Sequence, residues 1–578
     1  MPRVSTAMVA AGRPLGEPRL SPDGSRVAFV SDGLVVVDVS GGAPRLLTSE
    51  PAPAAARSLG GGVFDWSPDG NALVYVARAG GLWWQPAEGG PARAVIDDAE
   101  ARAPAVSCDG RVAYQVEHRH IAVDGRRLSG PADFVNDPAW SPDGRTVVWQ
   151  EWDVPAMPWD ASRIVVAAAD GTSTPRVVAG GPGVQVQQPR FSPDGRFLAY
   201  LSDEGGWLNL VVLELATGAS TVLDEPFEHG GPTWGPGQRT FAWSPASDAL
   251  VVARNERGFG ALLRWSPGEA PVQLARAVHG GLSWRGAHVV AVRTGGRTPT
   301  QVVVYEGEAR RILAVGPVAF GDAPVPEPEL VEWTSDGWTI PARLYRTEGV
   351  ERPPLLCWIH GGPTDQWQVE WRARFSFWLD RGWAILVPDH RGSTGHGRAF
   401  AQALAGRWGE ADVADVAAGI DTAVERGWCD PGRIVVMGGS AGGFTALNLL
   451  ATRPGLCRAG VVLYGVADLE ALAAVDYRYE AHYTHSLVGP LPEARETFRA
   501  RSPLHRAGAI TEPVLLLQGR DDVVVPPAQS EALAAALPRA TLHLYDDEGH
   551  GWGRPSTVID ELERTEGFLR AEVGETHG

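Results

Sequence analysis

The chain has 578 residues and carries 51 basic against 69 acidic side chains, a formal net charge of −18. That length exceeds one ordinary core and predicts two domains or more. The acidic balance argues against nucleic acid as a partner, because phosphate binding needs a basic surface.

All 51 basic residues are arginine. This excludes a Schiff-base lysine, the lysine of a phosphate loop and a Ser-Lys pair. Apolar residues make up 44% and charged residues 21%, a soluble, globular balance. The first twenty residues, MPRVSTAMVAAGRPLGEPRL, lack the sustained apolar stretch of a signal peptide. No run of about 18 apolar residues predicts a membrane span. Cys108, Cys357, Cys429 and Cys457 are far apart and show no metal-type spacing. A cytoplasmic protein without membrane association, metal or cofactor is expected.

The N-terminal half is an array of repeats. Ser-Pro-Asp-Gly stands at 21–24, 67–70, 141–144 and 192–195, each time before a short apolar run such as RVAFV or TVVWQ. Looser copies begin at Ser107, Ser244 and Ser283, giving seven units. In each, proline pre-sets φ, aspartate bonds the backbone ahead and glycine supplies positive φ, which is the chemistry of a turn between two strands. A period of about 40–50 residues with several strands per unit predicts a β-propeller blade. Seven blades are expected, within an all-β domain assigned to residues 1–322. One blade carries an acidic, aromatic insert, Glu151 to Asp160. Glu151, Asp153 and Asp160 are candidates for binding a substrate amine there.

After the proline-rich stretch Ala323–Pro328 the pattern changes. Val331–Arg346 reads as a hairpin around Ser335-Asp336-Gly337. Buried-strand runs follow at Leu355–Ile359, Ala384–Val387, Ile434–Met437, Gly460–Leu463, Val514–Leu517 and Thr541–Tyr545. Helical patterns occupy Val413–Arg426, Ala441–Thr452 and Ala528–Leu537. The alternation predicts a doubly wound, mostly parallel sheet in residues 323–578, with its chemistry at the carboxyl ends of the strands.

The loops at those ends are the ones that carry reactive side chains. Gly438-Gly439-Ser440-Ala441-Gly442-Gly443 follows a strand and opens a helix. It has neither the lysine of a phosphate loop nor the Gly-x-Gly-x-x-Gly spacing of a dinucleotide site. It does have Gly-x-Ser-x-Gly, the nucleophile elbow, in which a strained turn lifts the serine above the sheet. A serine needs a base, and the base needs an orienting carboxylate, in the chain order Ser, acid, His on this fold. His550 ends one strand and is preferred to His543, which lies inside it. Asp521 and Asp522 both end the strand before, while Asp546 and Asp547 sit too near His550 on its own loop. The N–H of Ala441 and one from His360-Gly361-Gly362-Pro363, best Gly362, are the expected oxyanion donors.

With these motifs in place, the chain resembles the prolyl oligopeptidase family of serine peptidases, in its acylaminoacyl-peptidase and dipeptidyl-aminopeptidase branch. The resemblance rests on the Ser-Pro-Asp-Gly repeats, His360–Pro363, Arg391–Gly397, Trp408–Val413, Gly438–Gly443, Gly519–Asp522 with Pro526, and Gly549–Gly551. It implies a propeller capping an α/β-hydrolase domain. It selects Asp522 as the acid, three residues after Gly519, and assigns the oxyanion donors to Gly362 and Ala441. One position departs from it: where many members carry Arg or Asn two residues after the acid, this chain has Val524. In the aromatic segment 464–506, Tyr464, Tyr477, Tyr479 and Tyr483 are candidates for walling the pocket before the scissile bond. The expected activity is hydrolysis of short peptides, releasing aminoacyl, dipeptidyl or acyl-aminoacyl units. The alternative is a small-molecule esterase or aminoacyl-amide hydrolase with the same triad, and the sequence leaves a homo-oligomer open.

Overall fold

The computed structural model describes residues 4–12, 14–48, 50–54, 61–316, 327–347, 349–475 and 477–574. The chain forms two compact units. One is Arg13–Gly316 with Gln368–Glu370; the other is Met1–Gly12, Pro317–Trp367 and Trp371–Gly578.

The first unit contains seven four-stranded antiparallel sheets. Six of the seven sequence repeats fall at the turn between the first and second strands of a sheet, and the seventh, at Ser283, begins inside the first strand, Val278–Arg285, and runs into that turn. In the fourth sheet, the turn at Ser141 joins Phe134–Trp140 to Thr146–Trp152. There the Ser141 hydroxyl donates to Asp143 at 2.6 Å and accepts the Thr146 N–H at 2.9 Å, while the Gly144 N–H donates to the Ser141 carbonyl at 2.9 Å. The same serine-to-aspartate bond recurs at Ser21, Ser67, Ser107 and Ser192. The degenerate sixth repeat keeps it in altered form, Ser244 to Asp248 at 2.7 Å. Hydroxyl donation from Ser21 and then Ser25 lowers the Asp23 carboxyl to about 2.

Neighbouring sheets share apolar cores in chain order. Val36 of the first packs with Phe64 of the second, and so on to Leu262 of the sixth with Val303 of the seventh. Val27 and Phe29 of the first sheet then pack with Val290 and Val302 of the seventh, which closes the ring. The unit is a seven-bladed β-propeller.

The second unit is built on one eight-stranded sheet. Its strands are β1 (Glu329–Ser335), β2 (Trp338–Tyr345), β3 (Leu355–Ile359), β4 (Ala384–Pro388), β5 (Ile434–Gly439), β6 (Ala459–Leu463), β7 (Val514–Gly519) and β8 (Ala540–Tyr545). They lie in the order β1-β2-β4-β3-β5-β6-β7-β8. The β1–β2 and β2–β4 pairs are antiparallel and all later pairs parallel. Strands β3 to β7 are buried along nearly their whole length, and alternate residues enter opposite cores. Cys357, Val436 and Leu516 face one; Leu356, Met437 and Leu517 face the other. Two faces covered by helices explain the near-continuous apolar runs of these strands.

The expected division at residues 322 and 323, and the stretch Ala323–Pro326, lie outside the described residues. The expectation that residues 1–322 form one domain is corrected at its start, since Met1–Gly12 belongs to the α/β unit. The cause is burial. Val4 and Val9 enter the core beside Phe377, Trp378 and Leu562, and the Val4 N–H donates to Asp380 at 2.7 Å.

Candidate active site

Ser440 sits between β5 and the helix Ala441–Thr452, with φ 54° and ψ −124°. This is a costly conformation for a residue with a side chain, and it holds because the surroundings over-determine it. The Ser440 N–H donates to the Leu463 carbonyl at 3.0 Å. The crossing of strand and helix leaves no room at two of the flanking glycines. A Cβ on Gly438 would stand 2.3 Å from the Gly442 carbonyl oxygen, and one on Gly442 would stand 2.4 Å from the Ile359 carbonyl oxygen. The nucleophile-elbow spacing is thus a steric requirement of this corner.

The helix behind Ser440 is anchored from Ala411–Glu425. The buried Asp412 accepts the Thr445 hydroxyl at 2.6 Å and the Gly409 N–H at 2.7 Å. Trp408 packs on Phe444 with ring centroids 4.3 Å apart. The arginine of Arg391–Gly397 has a similar structural use, because its guanidinium grips the buried Asp415 at 2.7 Å.

Asp522 and His550 leave the ends of β7 and β8. His550 Nδ1 lies 2.8 Å from Asp522 Oδ2. The carboxylate is buried and fully engaged: Gln518 donates to Oδ2 at 3.0 Å, and the N–H groups of Val524 and Val525 donate to Oδ1 at 2.9 and 2.8 Å. Asp522 therefore cannot turn away from the imidazole without losing four bonds, and with Nδ1 donating to it Nε2 is left as the acceptor. The rivals are placed elsewhere. His543 faces Asp560 at 3.6 Å, and Asp521 is exposed.

The His360–Pro363 loop runs beside the serine. A Cβ on Gly361 would come within 3.5 Å of the Ser440 Cβ. Burial keeps His360 neutral, at about 3, and it is tied to Ser393 at 2.7 Å and stacked on His390. Gly362 and Ala441 line one cavity with Ser440, together with Trp408, Tyr477 and Val524.

Of the four tyrosines expected to wall the pocket, Tyr477 and Tyr483 line this cavity. Tyr483 also holds the loop: its hydroxyl donates to Thr364 Oγ1 at 2.6 Å and accepts the Thr364 N–H at 3.0 Å. Tyr464 and Tyr479 are corrected as pocket walls. Tyr464 packs its ring on His550 at 4.6 Å and on Trp552 at 5.4 Å, and Tyr479 is buried, so neither lines the cavity.

The acidic insert differs from its expectation too. Glu151 and Asp153 share the guanidinium of Arg163 at 3.2 and 2.8 Å, and Glu151 also accepts the Trp149 indole N–H. Asp160 accepts the Met157 N–H at 3.1 Å, closing its own turn. A residue that sequence reasoning passed over is Glu480, which lines the cavity beside Ser440. Its only sequence signal is an acid set in an aromatic run, Tyr477-Arg478-Tyr479-Glu480. Among the described residues no group of three His, Cys, Asp or Glu side chains is arranged to hold a metal, and no helix is long and apolar enough to cross a membrane.

Residues 367–576 match the model of the prolyl oligopeptidase family. Among curated proteins, the chain is 32% identical over 230 residues to dipeptidyl aminopeptidase BIII of Pseudoxanthomonas mexicana, covering 38% of this chain and 33% of that one. It is 28% identical over 223 residues to the acylamino-acid-releasing enzyme of Arabidopsis thaliana, covering 36% and 29%. The matched stretch thus spans about a third of each of these relatives. Among solved structures, puromycin hydrolase superposes with a TM-score of 0.89 at 29% identity, covering 100% of this chain and 97% of that one. The likeness to the prolyl oligopeptidase family thus lies in the α/β unit, and the full-length likeness is to puromycin hydrolase.

Proposed function

We propose that the protein is a serine peptidase acting on short peptides, with Ser440, His550 and Asp522 as its triad. The observation that carries this reading is the 2.8 Å bond between His550 and a fully engaged Asp522, at the same carboxyl end of the parallel strands as a serine held at φ 54°. His550 Nε2 takes the Ser440 proton as Oγ attacks the peptide carbonyl. Asp522 holds the imidazole and stabilises its cation. The N–H groups of Gly362 and Ala441 receive the oxyanion. His550 then gives its proton to the leaving amine, and water, activated by the same imidazole, releases the acyl group from Ser440.

The relatives support release of aminoacyl, dipeptidyl or acyl-aminoacyl units. The propeller is read as the part that restricts substrates by size, and four free cysteines fit a reducing, cytoplasmic setting. The test is hydrolysis of aminoacyl, dipeptidyl and acetyl-aminoacyl p-nitroanilides by the protein and by Ser440→Ala. Full activity in the variant overturns the triad, and equal cleavage of short peptides and long unfolded proteins overturns the size restriction. The full-length likeness to puromycin hydrolase favours a second reading, an aminoacyl-amide hydrolase for small molecules. Puromycin cleaved faster than any peptide amide would select it.

A further inference from the structure

The cavity beside Ser440 has Val466, Leu472, Val475 and Leu487 among its walls, and Glu480 is its one charged side chain among the described residues. Among the described residues, none forms a hydrogen bond or ion pair with the Glu480 carboxylate. Burial raises it to about 7; the charge of His550 favours its ionised form and that of Asp522 opposes it. A half-buried carboxylate without a partner costs stability, and a cationic ligand removes that cost.

We propose that Glu480 binds the free α-ammonium group of the substrate's N-terminal residue, which makes the enzyme an aminopeptidase that releases one residue at a time. The inference rests on the peptidase reading above. The cavity that holds Glu480 also holds Ser440, Gly362 and Ala441, so the scissile carbonyl and the carboxylate share one small space. In an N-terminal residue the ammonium is two bonds from that carbonyl carbon, whereas the cation of a basic side chain is several bonds further out. Glu480 feels the charges of both His550 and Asp522, so it lies within electrostatic reach of the reacting centre. The apolar walls then take the side chain of the same residue. An acetylated or extended N-terminus leaves the half-buried carboxylate unpaired and is disfavoured, because desolvating a charge without its partner is costly.

The test compares the protein and Glu480→Gln on three p-nitroanilides: alanyl, acetyl-alanyl and acetyl-arginyl. A charge-assisted hydrogen bond predicts a fall in kcat/KM of about 10- to 100-fold on the alanyl amide. The acetyl-alanyl amide should respond at least about tenfold less. Equal losses on both amides, or no loss on either, overturn the proposal. A loss confined to the acetyl-arginyl amide overturns it too, by assigning Glu480 to a side-chain cation. Calorimetry with Phe-Ala and acetyl-Phe-Ala on Ser440→Ala, with and without Glu480→Gln, separates the two readings. Free-amine selectivity in binding without turnover by the native protein sinks the peptidase reading alone. Turnover without that selectivity sinks the role of Glu480 alone, and binding of neither peptide sinks both.

Discussion

Tyr483 and Thr364 are joined by two hydrogen bonds through one phenol oxygen, at 2.6 and 3.0 Å. Thr364 follows the glycine pair beside Ser440, so an aromatic residue 119 positions downstream sets the height of that loop. Tyr483→Phe leaves the buried Thr364 N–H without its acceptor, a loss of about 1–3 kcal/mol. We expect kcat to fall by about tenfold or more with KM little changed, because the loop donor acts on the oxyanion. Steady-state kinetics on a p-nitroanilide checks the split.

Asp522→Asn retains the shape of the side chain but makes its Nδ2 a donor facing His550. The imidazole then turns its other tautomer to the serine. A loss of about 10⁴ in kcat is the expected outcome, with a lower melting temperature because the Gln518 amide that donated to Oδ2 then faces a donor.

Gly442→Ala tests the corner itself. The added methyl would lie 2.4 Å from the Ile359 carbonyl oxygen, which is backbone and cannot swing aside. Overpacking of this kind costs about 1–3 kcal/mol, and β3 would have to shift at the start of the His360–Pro363 loop. Thermal melting should show the lower stability, and activity should fall with it.

Protonation of Glu480 gives a pH signature. Its carboxyl is raised to about 7, so below that pH the free enzyme holds it neutral and its attraction for an ammonium group is weakened. For a free-amine substrate, kcat/KM should therefore fall by one proton more than for its acetylated counterpart as pH drops through about 7. In Glu480→Gln the two profiles should coincide. His550 and Asp522 are the charged groups acting on Glu480, and both are retained in that comparison.

In the propeller, Ser141→Ala removes the hydroxyl that donates to Asp143 and accepts from Thr146. About 1 kcal/mol of stability should be lost on chemical denaturation, with no effect on hydrolysis.

Residues whose local chemistry fixes their geometry were legible in the sequence. The Ser-Pro-Asp-Gly turns, the strand Leu355–Ile359 and the helix Ala441–Thr452 fall where their patterns place them. Features that depend on a distant partner were not. The helix Pro555–Val573 was missed because Thr557, Glu561 and Thr565 occupy buried positions that would otherwise be apolar, which blurs its period. Glu151 and Asp153 read as candidates for a substrate amine, yet Arg163 lies directly across the strand pair from Glu151 and pairs with both. Glu480 carries no motif, and only the fold sets it beside Ser440.

The helix Thr6–Ala10 has a consequence for how the molecule is made. Thr6 donates to Glu563 at 3.2 Å, and Val4 and Val9 complete a core that also holds Leu562 and Leu569. The α/β unit is thus assembled from both ends of the chain, with the propeller as an insertion between them. On the ribosome, its first residues must wait for its last helix, while the propeller can already close once Val290 and Val302 have emerged to meet Val27 and Phe29. A fragment beginning after the propeller would lack part of its own interior, so the two units are not separable by a single cut.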